Sequence, residues 1–187
     1  MRTLKIFAVF LLLSVSVFCQ SKKSEVVEQN QTKEIPNLSI RYIANEGVLI
    51  RSGGKQILID GLHREYKPAY AFPPPDLQKL LENAQKPYDK INLLLVSHIH
   101  LDHFHPLSVG LHLQNNPNAI FASSEQAIGE VEKSFTDYAK IKTQIKPITY
   151  EWKKSFELNH EGIKVKFLSL RHGSERFRFG VNRARAP

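Results

Sequence analysis

The segment Ser97-His98-Ile99-His100-Leu101-Asp102-His103 places four metal-type side chains within six positions, directly after an apolar run. Imidazole nitrogens and carboxylate oxygens are ligands for a divalent cation. A cation held by three protein groups with a fourth position open is the arrangement of metal-assisted hydrolysis. Residues two apart in an extended stretch project to the same side, so His98 and His100 can turn both rings to one ion. Asp102 and His103 are adjacent and begin a turn or helix; they are expected to point away from the first pair and to suit a second ion nearby. A simple hydrogen-bonded turn or helix cap would need one of these residues, not four. The only cysteine, Cys19, lies far upstream, so the folded part holds neither a disulfide nor a thiolate ligand. Nitrogen and oxygen donors without sulfur favour zinc, with iron or manganese as the alternatives.

Those side chains need a rigid frame. Alternating apolar and β-branched residues predict strands over 38–43, 48–51 and 56–59, the last two joined by the tight-turn sequence Ser52-Gly53-Gly54-Lys55. A loop with Pro73, Pro74 and Pro75 leads to a helix capped by Asp76, with Leu77, Leu80, Leu81 and Ala84 on one face. Residues 91–96 form an uninterrupted apolar run, the pattern of a strand covered on both faces, so helices must flank the sheet. After the histidine-rich segment the pattern predicts a helix over 107–113 and a strand over 119–122. A helix over 123–138 follows, capped by Ser123 with Gln126 answering three residues on. Strands at 155–159 and 163–170 flank Glu161-Gly162, and the second delivers Arg171-His172-Gly173 into a loop.

The motif His98-x-His100-x-Asp102-His103, the earlier strand–turn–strand closing on Ile59-Asp60-Gly61, and a later strand ending in His172 resemble the metallo-β-lactamase superfamily. The resemblance implies an α/β (α+β) fold, the αββα sandwich of that family. It implies a first zinc on His98, His100 and His172 and a second on Asp102 and His103, with Asp102 as the catalytic carboxylate. Asp60 matches the acidic residue beneath the metal loop, from where it would orient a ligand. The implied chemistry is attack of metal-activated water on a small-molecule ester, lactone, lactam or phosphodiester. The resemblance covers about residues 38–180 and corresponds to the N-terminal part of the family's domain. A further bridging Asp and a final His are not found after Gly180, so a partial domain over 37–187, from a truncated gene product, is expected. A non-catalytic metal-binding protein is the alternative reading.

The other histidines carry less. His63, in the loop after Asp60, and His105, before Pro106, are candidates to line the site, while His112 and His160 read as structural or solvated. Residues 1–19 combine Arg2 and Lys5 with the apolar stretch 6–13, the shape of a signal peptide. Cys19 is a candidate lipid-attachment residue. Residues 20–36 are polar and read as a disordered tether. The chain is therefore expected to be exported: periplasmic, secreted or lipid-anchored in the envelope. The net charge of +8 has contributions from Arg171, Arg176, Arg178, Arg183 and Arg185. A basic face of this kind serves solubility in an exported protein more often than nucleic-acid binding.

Overall fold

A computed structural model of the chain describes residues 37–149, 151 and 153–170. The signal and tether expectations, and His172, lie outside the described residues. The described residues fall within one compact unit, Ile35–Pro187.

Three antiparallel strands open it: β1 (Ser39–Ala44), β2 (Gly47–Ser52) and β3 (Lys55–Ile59). The turn between β2 and β3 has Gly53 and Gly54 at φ 55° and 76°, a region that glycine enters without a steric penalty. Helix α1 (Pro75–Glu82) then crosses over to β4 (Leu93–Leu95), α2 (Pro106–Asn115) to β5 (Ile120–Ser124), and α3 (Glu125–Ser134) with α4 (Tyr138–Ile141) to β6 (Ile145–Ile148). Strands β3 to β6 are parallel, and the six strands lie in sequence order. Right-handed crossovers that always step the same way put every helix on one face. Strands β7 (Ser155–His160) and β8 (Ile163–Leu168) form a separate hairpin. Its turn residues Glu161 and Gly162 are both at positive φ, 48° and 83°, which matches the twist of the flanking strands.

The alternation of side chains along each strand divides the core in two. Leu49, Leu58, Leu94 and Phe121 face the helices and pack with Leu81, Val109, Leu113 and Val131. Leu93, Leu95, Ile120 and Ala122 face the other way, against Leu158, Ile163, Val165 and Phe167 of the hairpin. The described residues thus supply a helical layer, a mixed six-stranded sheet and a second sheet. Among them, no helix is long and apolar enough to cross a membrane.

Several boundaries differ from expectation for local reasons. Asp76 does not cap α1: Pro74 holds the cap position, Pro75 begins the helix with a fixed φ that suits its first residue, and Asp76 sits in the first turn. Ser123 does not cap α3 either, because it is buried in β5 with its hydroxyl donating to the Val96 carbonyl at 3.3 Å. Ser124 takes that role, accepting from the Ala127 amide at 3.2 Å. The expected single helix over 123–138 is two, since Phe135 leaves helical geometry (φ −112°, ψ 106°) with its ring beside Gly110. Strand β6 was not expected: Lys146 and Pro147 interrupt its pattern, and proline is tolerated there because β6 is the edge of the sheet.

Candidate metal centre

The parallel strands β3 and β4 end side by side, and the residues just past them build the site. The Asp60 amide continues the ladder by donating to Leu95 O at 3.1 Å, and the residue then turns at φ 49°, which aspartate tolerates better than most residues. This turn buries the Asp60 carboxylate under the segment that follows β4. Oδ1 accepts from the Ser97 amide at 2.7 Å. Oδ2 accepts from the Ser97 hydroxyl at 2.6 Å and from His103 Nδ1 at 2.9 Å.

One carboxylate therefore orients two histidines. With its Nδ1 proton donated to Asp60, His103 presents the lone pair of Nε2 on the opposite side of the ring. The Ser97 hydroxyl, having given its proton to Asp60, is an acceptor for Nδ1 of His98 at 3.0 Å, which leaves Nε2 of His98 as a lone pair as well. That atom lies 3.0 Å from Nδ1 of His100. The His98 ring centroid is 4.5 Å from that of His100 and 4.2 Å from that of His103. The expectation that His103 points away from the first pair is not met, because Asp60 pulls its ring back beside His98. Asp102 Oδ2 lies 3.7 Å from His103 Nε2. Its position is fixed from the β1–β2 turn, where Asn45 (φ 44°) donates through Nδ2 to the Asp102 carbonyl at 3.0 Å and to Oδ2 at 3.4 Å.

His98 and His100 have the donor chemistry and the spacing that a zinc ion would need. Zinc–nitrogen bonds of 2.0–2.1 Å in a tetrahedron set ligand atoms about 3.3 Å apart, close to the His98–His100 separation. Asp60 beneath His103 supplies one of the hydrogen-bond partners that metal-bound imidazoles commonly have. Among the described residues, no three metal-type side chains already surround one point; His98 and His100 meet each other there.

Sequence reasoning missed two residues, Ser97 and Asn45. The only local signal for Asn45 was an asparagine in a two-residue turn, and nothing near Ser97 announced its partner 37 positions upstream. Neither His63 nor His105 joins the cluster. His63 is buried, its ring nitrogens 3.0 Å and 3.2 Å from the carbonyls of Asp60 and Ala71. His105 stands at the start of α2, with Nδ1 3.3 Å from the Ser108 hydroxyl. Its pKa is lowered by burial and then by the Arg64 charge, with Glu82 opposing. His112 is fully buried and structural; Nδ1 donates to Leu81 O and Nε2 faces the Asn116 amide at 3.4 Å. A concavity of about 140 Å³ beside the hairpin, lined by residues such as Thr149, Ser155 and Phe167, contains none of the motif histidines.

The chain matches the family model of the beta-lactamase superfamily domain over residues 57–186, from within β3 through the whole histidine motif and His172. It belongs to that superfamily. Membership makes hydrolase-type chemistry the coarse functional assignment and agrees with the layered α/β architecture. No curated protein matches the chain.

Proposed function

We propose that this superfamily member is a zinc-dependent hydrolase that cleaves an ester, lactone, lactam or phosphodiester bond. The observation that supports the reading is the packing of the His98 ring against those of His100 and His103 just past the end of β4, with the buried Asp60 carboxylate bonded to His103 and, through Ser97, linked to His98. His98, His100 and His172 would hold one zinc, and Asp102 and His103 a second. A bound zinc would lower the pKa of a water molecule toward neutrality and so supply a nucleophile at neutral pH. Asp102, held by Asn45, would orient that water and accept its proton. Asp60 and Ser97 would hold the imidazoles of His103 and His98 in the tautomers that a metal ion needs. We also assign the chain to the exported proteins, on the character of residues 1–19.

The test is to load the full chain with zinc and assay generic ester, lactone, lactam and phosphodiester substrates, with Asp102→Ala as control. Turnover that follows zinc content and falls at least a hundredfold in the variant supports the reading. Stoichiometric zinc with no turnover of any substrate leaves a metal-binding protein instead.

A further inference from the structure

The loop 60–74 begins at the residue that orients the metal motif. Its root is tightly held. Asp60 bonds to Ser97 and His103, the Leu62 carbonyl accepts from the His105 amide at 2.8 Å, and His63 bridges the carbonyls of Asp60 and Ala71. Arg64 closes the far side, with Nε 2.9 Å from Glu82 Oε1 and 3.0 Å from the Ser108 hydroxyl. Between Arg64 and Phe72 every residue is exposed.

The tip is nevertheless shaped. The Tyr70 amide donates to Lys67 O at 3.0 Å, and this turn brings the Tyr66 and Tyr70 rings into a stack, centroids 6.1 Å apart and planes 20° from parallel. Both remain about two-fifths exposed, 42% and 40%. Lys67 Nζ lies 4.8 Å from the Tyr66 centroid. Two large rings held against each other in water, rather than in the core, leave apolar area that a ligand can cover. The loop leaves the carboxyl end of a parallel strand, the edge at which ligands enter open α/β sheets, and it neighbours the loop that carries His98 to His103. Leu101, inside the motif itself, adds an exposed apolar side chain at 44%.

We propose that Tyr66 and Tyr70 form a recognition wall for substrates bearing an aromatic ring, with the ammonium of Lys67 favouring an anionic group attached to that ring. This deepens the hydrolase reading and rests on it for the word substrate, but ring binding is measurable without turnover. The probes are 2-naphthol and cyclohexanol, titrated by calorimetry into the zinc-loaded full chain, and then 2-naphthyl acetate and ethyl acetate as esters.

The wild-type chain is expected to bind 2-naphthol more tightly than cyclohexanol. Tyr66→Ala and Tyr70→Ala should each weaken 2-naphthol binding roughly three- to tenfold, the range of one aromatic contact. Tyr70→Phe should retain it. Where esters turn over, the alanine variants should lose kcat/KM for 2-naphthyl acetate by the same factor and keep it for ethyl acetate. Both variants lie on an exposed loop tip, and an unchanged Tm shows that they fold. Equal affinity of the wild type for the two probes, or unchanged 2-naphthol binding in both alanine variants, overturns the proposal. Naphthol binding that depends on the tyrosines in a chain that hydrolyses nothing sustains the wall and overturns only the hydrolase reading.

Discussion

Asp60 Oδ2 lies 2.9 Å from Nδ1 of His103, across 43 positions of sequence. The same oxygen accepts from Ser97, whose hydroxyl in turn faces His98. Asp60→Asn keeps a residue that tolerates the positive φ of this position but replaces one acceptor oxygen with a donor. Removing such a carboxylate partner typically weakens metal binding about 10- to 100-fold. Zinc competition with a chromophoric chelator should show that loss in Asp60→Asn and a smaller one in Ser97→Ala. Wild-type affinity in Asp60→Asn would remove Asp60 from the metal site.

Metal content tests the ligands directly. The purified chain is expected to retain one tightly bound zinc and to exchange a second freely, since the second site proposed above draws on Asp102 and His103, and two ligands compete poorly with water. His98→Ala and His100→Ala should each come through gel filtration without stoichiometric zinc by elemental analysis. Two zincs held tightly by the wild type, or one retained by both variants, contradicts this ligand set.

Buried His112 makes stability depend on pH. Burial lowers its pKa from 6.5 to about 4, against the opposing hydrogen bond to the Leu81 carbonyl. The neutral ring is the form its partners accept, with Nδ1 donating to Leu81 O and Nε2 facing the Asn116 amide. Between pH 6.5 and 4 the unfolded chain takes up a proton that the folded chain refuses. Stability from this group is therefore full above pH 6.5 and declines as pH falls, by about 3 kcal/mol at pH 4. Urea denaturation of wild type and His112→Gln at pH 7 and pH 4.5 checks the sign. The wild type should lose more stability on acidification; equal losses would sink the claim.

Two helical glycines should respond oppositely to alanine. In α2, a Cβ on Gly110 would sit 2.3 Å and 2.5 Å from ring atoms of Phe135 and 2.8 Å from its Cβ, so the ring must move. Overpacking of this kind costs about 1–3 kcal/mol, more than the gain in helix propensity of about 1 kcal/mol. In α3, a Cβ on Gly129 would meet nothing within 4 Å. Thermal melts should rank Gly129→Ala above wild type and Gly110→Ala below it.

Local chemistry alone determined much of this protein. The alternating residues of β1 to β3, the Gly53-Gly54 turn, the fully apolar β4 and the hairpin around Glu161-Gly162 were all legible, because each pattern is read by a strand or turn from its own neighbours. The motif His98-x-His100-x-Asp102-His103 was legible for the same reason, and so was its place at a strand end. Tertiary structure decided the rest. That Phe135 must leave its helix for the side of Gly110 depends on how α2 and α3 pack. That Ser123 is a buried strand residue and not a cap depends on Val96 across the sheet. That His103 turns back toward His98 depends on Asp60, and the position of Asp102 on Asn45. Each of these contacts joins residues far apart in sequence. Sequence spacing says nothing about such pairs until strands pair and helices pack, as when parallel β3 and β4 end side by side and bring Asp60 within hydrogen-bonding distance of Ser97 and His103.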